Sequence, residues 1–370
     1  MHPFYTVLLL ELALAIIYFL SSPSFDARNI SGTKSIATPK KNKSIYLVFA
    51  FGILLFFHAF RDPYSLFDIP EYAEAYKEAL GYSWQRVLTE PFYSLKCETG
   101  FRIIIKGIAS LFSSYQMLFV ITSVFLIYCF FNATRNYSVF YCISVMVFMT
   151  DSFAQSLFML RAFVAIGILL LSFPFIIDRK IIPFLLLNLL AMSVHLSSVI
   201  FFPVYFLYGI KNTKLLWTTF ICFGAALILY FNSIINIVIE RYLTGYSYYL
   251  VYIDNYEGAS WKMPALLGTL LIMRIVILRK HFFNPGITRL LSIISVLAFL
   301  VYVAGMGFGL TSRMAMFFTN MTFLILPDNI SHMKNKKLGI LIAVSYILFT
   351  GFFFLRSCTS SEYINYRLIW

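Results

Sequence analysis

The chain is written mostly in long apolar runs. They lie near 3–20, 44–60, 114–131, 138–150, 156–177, 181–194, 196–208, 214–231, 262–278, 287–307, 312–327 and 338–355. The runs are continuous rather than alternating, which selects helices over strands. Several approach the roughly 20 residues that a helix needs to cross a bilayer. A helix also satisfies its own backbone groups in lipid, where no water can do so. The pattern predicts an all-α, polytopic membrane protein with about 11–12 transmembrane helices, some short or re-entrant.

Polar stretches between the runs predict topology. The loop 21–43 holds Arg28, Lys34, Lys40, Lys41 and Lys43 against Asp26 alone. Basic loops favour the cytoplasm, so this loop is placed inside and the N-terminus outside. Counting spans onward puts Arg135, Arg179–Lys180, Lys211–Lys214, Arg279–Lys280 and Lys334–Lys336–Lys337 inside as well. The count works only if the long stretch from Ile181 to Tyr208 is two short helices turning back at His195, rather than one long tilted helix. Two sizeable loops then fall outside. Loop 61–100 carries seven acids against four bases, and loop 232–261 is rich in tyrosine, from Tyr242 to Tyr256. Residues 99–113 predict an amphipathic helix with Phe101, Ile104, Ile105, Ile108 and Phe112 on one face and Arg102 and Lys106 elsewhere. Such a helix lies flat at the interface or dips into the membrane. The chain divides into a first transmembrane helix with its basic cytoplasmic loop (1–43), a transmembrane domain (44–355) and a short outside tail (356–370).

Composition agrees with this layout. Hydrophobic residues make up 60% of the chain and charged residues only 12%, against about 25% charge in soluble domains. A soluble fold is excluded. The net charge of +13 reads as loop topology rather than affinity for nucleic acid, and no nucleic-acid motif accompanies it. The run Pro3–Leu20 lacks a basic start and a small-residue cleavage site and contains Glu11, so it reads as a retained helix rather than a signal peptide. Cys129, Cys142 and Cys222 read as packing residues. Cys97 and Cys358, in loops placed on the same side, are candidates for pairing.

The candidate chemistry lies in the few charges within or beside apolar runs, because such residues usually face a polar cavity. Arg61 stands where the second run ends, and Asp68 and Tyr72 follow four residues apart, on one helical face. Glu98 precedes the amphipathic helix, with Thr99 as a possible cap. Arg161 stands about one and a half turns into an apolar run. His195 lies midway through another run among Ser193, Ser197 and Ser198. Arg313 follows a turn containing Gly305, Gly307 and Gly309. Plainer readings are a helix end for Arg61, charge complementarity to a helix N-terminus for Glu98 and a satisfied core histidine for His195. Taken together, arginines suit doubly anionic phosphate because their planar fork donates two hydrogen bonds. A neighbouring histidine or carboxylate can take a proton from a hydroxyl. No nucleotide loop is present.

In this order the residues Arg61, Asp68, Tyr72, Glu98–Gly100–Phe101, Arg161, His195 with its serines and Arg313 resemble the EpsG family of bacterial Wzy-like polysaccharide polymerases. The resemblance runs over roughly 45–355. The chain departs from the family pattern at Leu66–Phe67, where Gly-Thr is common, and at Ala162, where glutamine is common. The resemblance implies a multi-pass enzyme of the bacterial inner (cytoplasmic) membrane with its active face periplasmic or extracellular. It would transfer a glycan from undecaprenyl diphosphate to a hydroxyl of a lipid-linked repeat unit, building O-antigen, capsule or exopolysaccharide. In that reading Arg161, Arg313 and Arg61 hold the diphosphate, and His195 or Asp68 activates the acceptor hydroxyl. Tyr72 contacts sugar, and Glu98 binds sugar or orients a basic group. The tyrosines between 242 and 256 stack on sugars or form an interface belt. The implied partners are the lipid-linked oligosaccharide, membrane lipid and a chain-length regulator, with no nucleic acid, no cofactor and no metal. Competing expectations are a transporter or flippase of lipid-linked oligosaccharide, a membrane glycan ligase, and an acyltransferase built on His58 and Arg61–Asp62.

Overall fold

A computed structural model describes residues 2–21, 41–66, 69–242, 261–305, 309–360 and 363–369. Asp68 and most of the tyrosine-rich stretch lie outside the described residues. Among the described residues the chain is all-α, with no strand and one isolated antiparallel bridge, Arg61 with Leu368. Five helices are long and apolar enough to cross a membrane, and shorter apolar helices accompany them. The chain forms two compact units. The first comprises residues 1–170, 193–195 and 337–370, and the second comprises 171–192 and 196–336.

In the first unit, α1 (Pro3–Ser21) packs on α2 (Lys41–Ala59). The described residues of the stretch 61–100, expected as an outside loop, are largely helical. The stretch contains α3 (Ile69–Gly81) and α4 (Trp84–Thr89) and leads into α5 (Thr99–Ala109). The Glu78 carboxylate accepts from the backbone amides of Tyr93 (2.7 Å) and Ser94 (2.8 Å), which fastens the extended stretch after α4 onto α3. Helix α5 is amphipathic as expected, but its cations do not face solvent: Arg102 and Lys106 are buried along with Phe101, Ile105 and Ile108. The reason is the supply of carbonyls at the C-terminal ends of its neighbours. Lys106 Nζ donates to Ala79 O at 2.9 Å, and Arg102 donates to the carbonyls of Leu88 and Glu90. Cations are favoured at those ends.

Next, α6 (Gln116–Tyr137) packs on α2. The two runs expected at 138–150 and 156–177 divide elsewhere. Helix α7 (Tyr141–Phe148) continues through a π-helical turn, Met149–Phe153, into α8 (Ala154–Phe158). The break comes at Met159 (φ −82, ψ 51), before α9 (Leu160–Leu171). Asp-Ser in the π-turn stays helical because its polar groups find partners. The hydroxyl of Tyr346 donates to Asp151 at 2.6 Å, and Thr150 and Thr350 share a hydrogen bond of 2.7 Å. Arg161 is therefore the second residue of a new helix, not one and a half turns into an old one. Residues 363–369 lie along residues 60–65. Asp62 N donates to Arg367 O (2.9 Å), Ile369 N to Phe60 O (3.1 Å), and Arg367 Nε to Asp62 Oδ2 (2.7 Å).

The second unit begins with α10 (Phe173–Ile177) and α11 (Ile181–Val194). The helix stops at His195, a 3-10 segment covers Leu196–Phe201, and α12 (Pro203–Gly209) starts on a proline suited to a first helical turn. The chain reverses here. The rings of Phe184 and Tyr205 stack with centroids 4.9 Å apart, whereas 21 residues of unbroken helix would separate them by about 31 Å. The two-helix reading of 181–208 holds, with His195 at the tip of the hairpin. Helix α13 (Thr213–Tyr242) runs eleven residues beyond the expected apolar run. The remaining elements are α14 (Lys262–Leu278), α15 (Ile287–Ala304), α16 (Gly309–Thr319), α17 (Thr322–His332) and α18 (Lys336–Ser357), the last closing the first unit.

Arg274 links α14, α15 and α17. It donates to Ser292 Oγ (2.9 Å), Asn329 Oδ1 (2.6 Å), Asp328 Oδ2 (2.8 Å) and Thr288 O (2.7 Å). Nothing of it is exposed. Its guanidinium is spent on holding helices together.

Tyr346→Phe should lower the melting temperature of the purified protein, because it leaves Asp151 without its hydroxyl donor at a cost of about 1–3 kcal/mol. Tyr128→Phe, at a position 55% exposed, should leave the melt unchanged. Equal melts for the two variants would contradict the clasp between the π-turn and α18.

Candidate functional site

Four of the polar residues singled out in the sequence meet in the first unit. The Glu98 carboxylate is the hub. Its Oε2 accepts from Arg161 Nη1 at 2.8 Å, and its Oε1 lies 3.5 Å from His195 Nδ1, longer than a full hydrogen bond. Arg161 Nε donates to the Tyr72 hydroxyl at 3.2 Å, and Nη1 reaches Lys96 O at 3.4 Å. Arg161 and His195 are each 21% exposed in their side chains and Glu98 is 14% exposed, so the cluster is largely shielded but open to a polar ligand. Attraction between charges at such a place is stronger than on an open surface.

Local structure explains how residues so distant in sequence converge. Glu98 is the N-cap of α5, Arg161 opens α9 just after the break at Met159, and His195 is the helix-free tip of the hairpin. Tyr72 lies on α3 with its ring edge-on to Phe101 (centroids 5.7 Å apart). Gly100 lets the parts close. A Cβ built there would fall 2.6 Å from the carbonyl oxygen and 2.7 Å from the carbonyl carbon of Ser193. Backbone cannot yield as a side-chain tip does, so only glycine allows α5 this close to the residues just before His195.

Arg61 sits in a second, deeper group. It is fully buried, donates to His58 Nδ1 (2.9 Å) and to the His58 carbonyl, and has its guanidinium carbon 4.8 Å from the Phe119 ring centroid. Because Nδ1 of His58 accepts from Arg61, Nε2 carries the proton and donates to Ser156 Oγ at 3.1 Å. Arg61 Nε and Nη2 are buried with no hydrogen-bond partner. Tyr72 lies within electrostatic reach of both Arg61 and Arg161. The histidine–acid pair needed by the acyltransferase reading is not assembled, since Asp62 is paired with Arg367.

Arg313 is exposed on α16 and belongs to the second unit. Asp68 lies outside the described residues. Cys97 and Cys358 are both free thiols. Burial pushes the Cys97 thiol up to about 12, although Arg161 opposes this, so Cys97 is no nucleophile at neutral pH. Among the described residues no three His, Cys, Asp or Glu side chains group as metal ligands. Buried or half-buried charges that the sequence reading passed over are Asp151, Arg274 and Asp328. Arg274 is a lone charge inside the run 262–278, and Asp151 and Asp328 stand at the ends of the runs 138–150 and 312–327, which was the available signal.

Fold and site together define an all-α, polytopic membrane protein with a shielded arginine–carboxylate–histidine cluster. The model of the EpsG family matches residues 44–368, nearly the whole chain, and the protein belongs to that family. The family is polysaccharide polymerase-like, which gives this chain a membrane role in polysaccharide biosynthesis of the glycosyltransferase type. No curated protein and no solved structure matches it.

Gly100→Ala should cut polymer formed in a strain lacking its own copy at least about tenfold, the scale of effect of displacing positioned groups by an ångström. Gly107→Ala on the same helix, where a Cβ meets nothing within 4 Å, should not. Normal polymer from Gly100→Ala would show that the close approach to Ser193 is dispensable.

Proposed function

We propose that the protein is a repeat-unit polymerase that transfers a glycan from a polyprenyl diphosphate, such as undecaprenyl diphosphate, to a hydroxyl of a second lipid-linked repeat unit. The observation that carries this reading is Glu98 set between Arg161 (2.8 Å) and His195 (3.5 Å). A cation for a departing diphosphate thereby stands beside a base for an arriving hydroxyl. His195 takes the proton of the acceptor hydroxyl, and the hydroxyl oxygen forms a bond to the anomeric carbon of the donor. The bond from that carbon to phosphate breaks, and its electron pair leaves with the lipid diphosphate. Glu98, with Oε1 3.5 Å from His195 Nδ1, stabilises the imidazolium as it forms. Arg161, with two nitrogens already aimed by Glu98 and Tyr72, meets the charge that develops on the leaving oxygen.

Arg61 adds positive potential from beneath, through Tyr72, rather than by direct grip, because it is sealed from solvent. Tyr72 and Glu98 also supply hydrogen-bond partners to sugar hydroxyls. Arg313 is assigned the same diphosphate chemistry on its residue type, and Asp68 is the alternative base. The enzyme works in the bacterial inner membrane with this cluster at the outer leaflet, as the charge pattern of the loops favours, and a chain-length regulator is the partner to expect. The carrier reading has less support. A transport pathway needs buried charges left available to a passing substrate, yet Arg274, the most deeply buried of the described arginines of the second unit, has its guanidinium committed to Asp328, Asn329, Ser292 and Thr288.

Purified protein in detergent, given lipid-linked repeat units and no sealed membrane, should form a ladder of longer glycans. His195→Ala should slow the ladder by about 100-fold or more, the usual contribution of a positioned base. Arg161→Lys should restore less than half of what Arg161→Ala loses, because lysine lacks the planar fork. No ladder from the wild-type protein in detergent, with transport in vesicles retained, would replace the enzyme by a carrier.

A further inference from the structure

The helix ends of the second unit hold two arginines that no acid answers among the described residues. Arg179 follows α10 with φ 59, a left-handed conformation that residues bearing a Cβ rarely adopt. Its backbone is held there by Tyr205, whose hydroxyl donates to Arg179 O at 2.8 Å. The guanidinium donates back to the Tyr205 carbonyl and lies over the Tyr205 ring, 4.0 Å from its centroid. It also presses on Gly209, where a Cβ would fall 2.6 Å from Nη2 and 2.9 Å from Cζ.

Arg289, in the first turn of α15, approaches from the other side. It is 8% exposed, donates to the Ile210 carbonyl and to Phe283 O (3.4 Å), and lies 5.4 Å from the Tyr208 ring centroid. Its Nε is buried with no partner. Gly209 and Ile210 are consecutive, so the two guanidinium groups contact neighbouring residues and lie within electrostatic reach of each other.

Every partner found for this pair is neutral, either a carbonyl or a tyrosine ring. The one acid beside it in sequence, Asp178, is paired with Lys180 at 3.3 Å. Lys211 and Lys214 follow in the next loop, both exposed. Two like charges this close are costly unless an anion sits with them, and arginine forks fit phosphate oxygens.

We infer that Arg179 and Arg289 form a binding site for the phosphate of an anionic phospholipid headgroup. Lipid is favoured over free phosphate by what surrounds the pair. Ile182 (69% exposed), Phe206 (47%) and Leu215 (54%) offer apolar surface to acyl chains on the adjoining helices. The charge rule assigns Arg179–Lys180 and Lys211–Lys214 to the cytoplasmic side, where the leaflet is anionic and basic pockets between helices hold headgroups.

The test is native mass spectrometry of the full-length protein in detergent with phosphatidylglycerol, phosphatidylcholine or inorganic phosphate added. Phosphatidylglycerol should be retained in preference to phosphatidylcholine. Arg179→Gln, at an exposed position, should reduce that preference about fivefold, and Arg179→Gln with Arg289→Gln should abolish it. Lys334→Gln, an exposed charge elsewhere in this unit, should leave it unchanged. Equal retention of the two lipids by the wild-type protein would overturn the site. So would an unchanged preference in Arg179→Gln. Displacement of phosphatidylglycerol by millimolar inorganic phosphate would overturn the lipid assignment.

Discussion

A carboxylate shared between a guanidinium and an imidazole organises the first unit. Taken alone, Arg161 beside membrane-spanning segments would be costly to bury, and so would Glu98. Joined at 2.8 Å, each offsets the other. Because Glu98 belongs to α5, Arg161 to α9 and His195 to the hairpin tip, the pair fixes where three separate pieces of chain must meet. Gly100 enforces the same meeting by shape, through its close approach to Ser193.

The residues between α2 and α6 make this possible. An unstructured loop could not hold Glu98 and Tyr72 to ångström precision. Here α3, α4 and α5 lock together through cations placed on carbonyls, Lys106 on Ala79 and Arg102 on Leu88 and Glu90, and through Glu78 on the amides of Tyr93 and Ser94. The terminal strap, Arg367 on Asp62, closes the same region from the other end of the chain. The second unit uses its buried charge differently. Arg274 is fully engaged by neighbouring helices, whereas Arg179 and Arg289 stand without an acid among the described residues.

Hydrophobic runs carried most of the architecture in plain sight. The all-α, polytopic character followed from run length, and the reversal at His195 from the signs of later loops, because both rest on strong, additive terms: apolar transfer and the excess of basic residues in alternate loops. What stayed hidden depended on pairing at a distance. Asp151 looked like a loop residue until Tyr346, 195 residues away, supplied the hydroxyl that keeps it helical. Arg102 and Lys106 were legible as lying off the apolar face, but nothing local announces the carbonyls that bury them. In the site, residue types were legible as isolated polar positions, but the role of Glu98 as hub was not. Its partners come from helices that only tertiary packing brings together, and Gly100 showed no local signal of the backbone it must admit.

The central claim is that Glu98, Arg161 and His195 act as one unit, and a double-mutant cycle addresses it most directly. Glycan transfer in detergent would be measured for Glu98→Gln, Arg161→Gln and the combination. Removing one partner leaves a shielded, uncompensated charge, so the account predicts that the double variant is no worse than the poorer single variant, with a coupling of about 1–3 kcal/mol. Losses that simply multiply would mean that the two side chains contribute independently, and would contradict it.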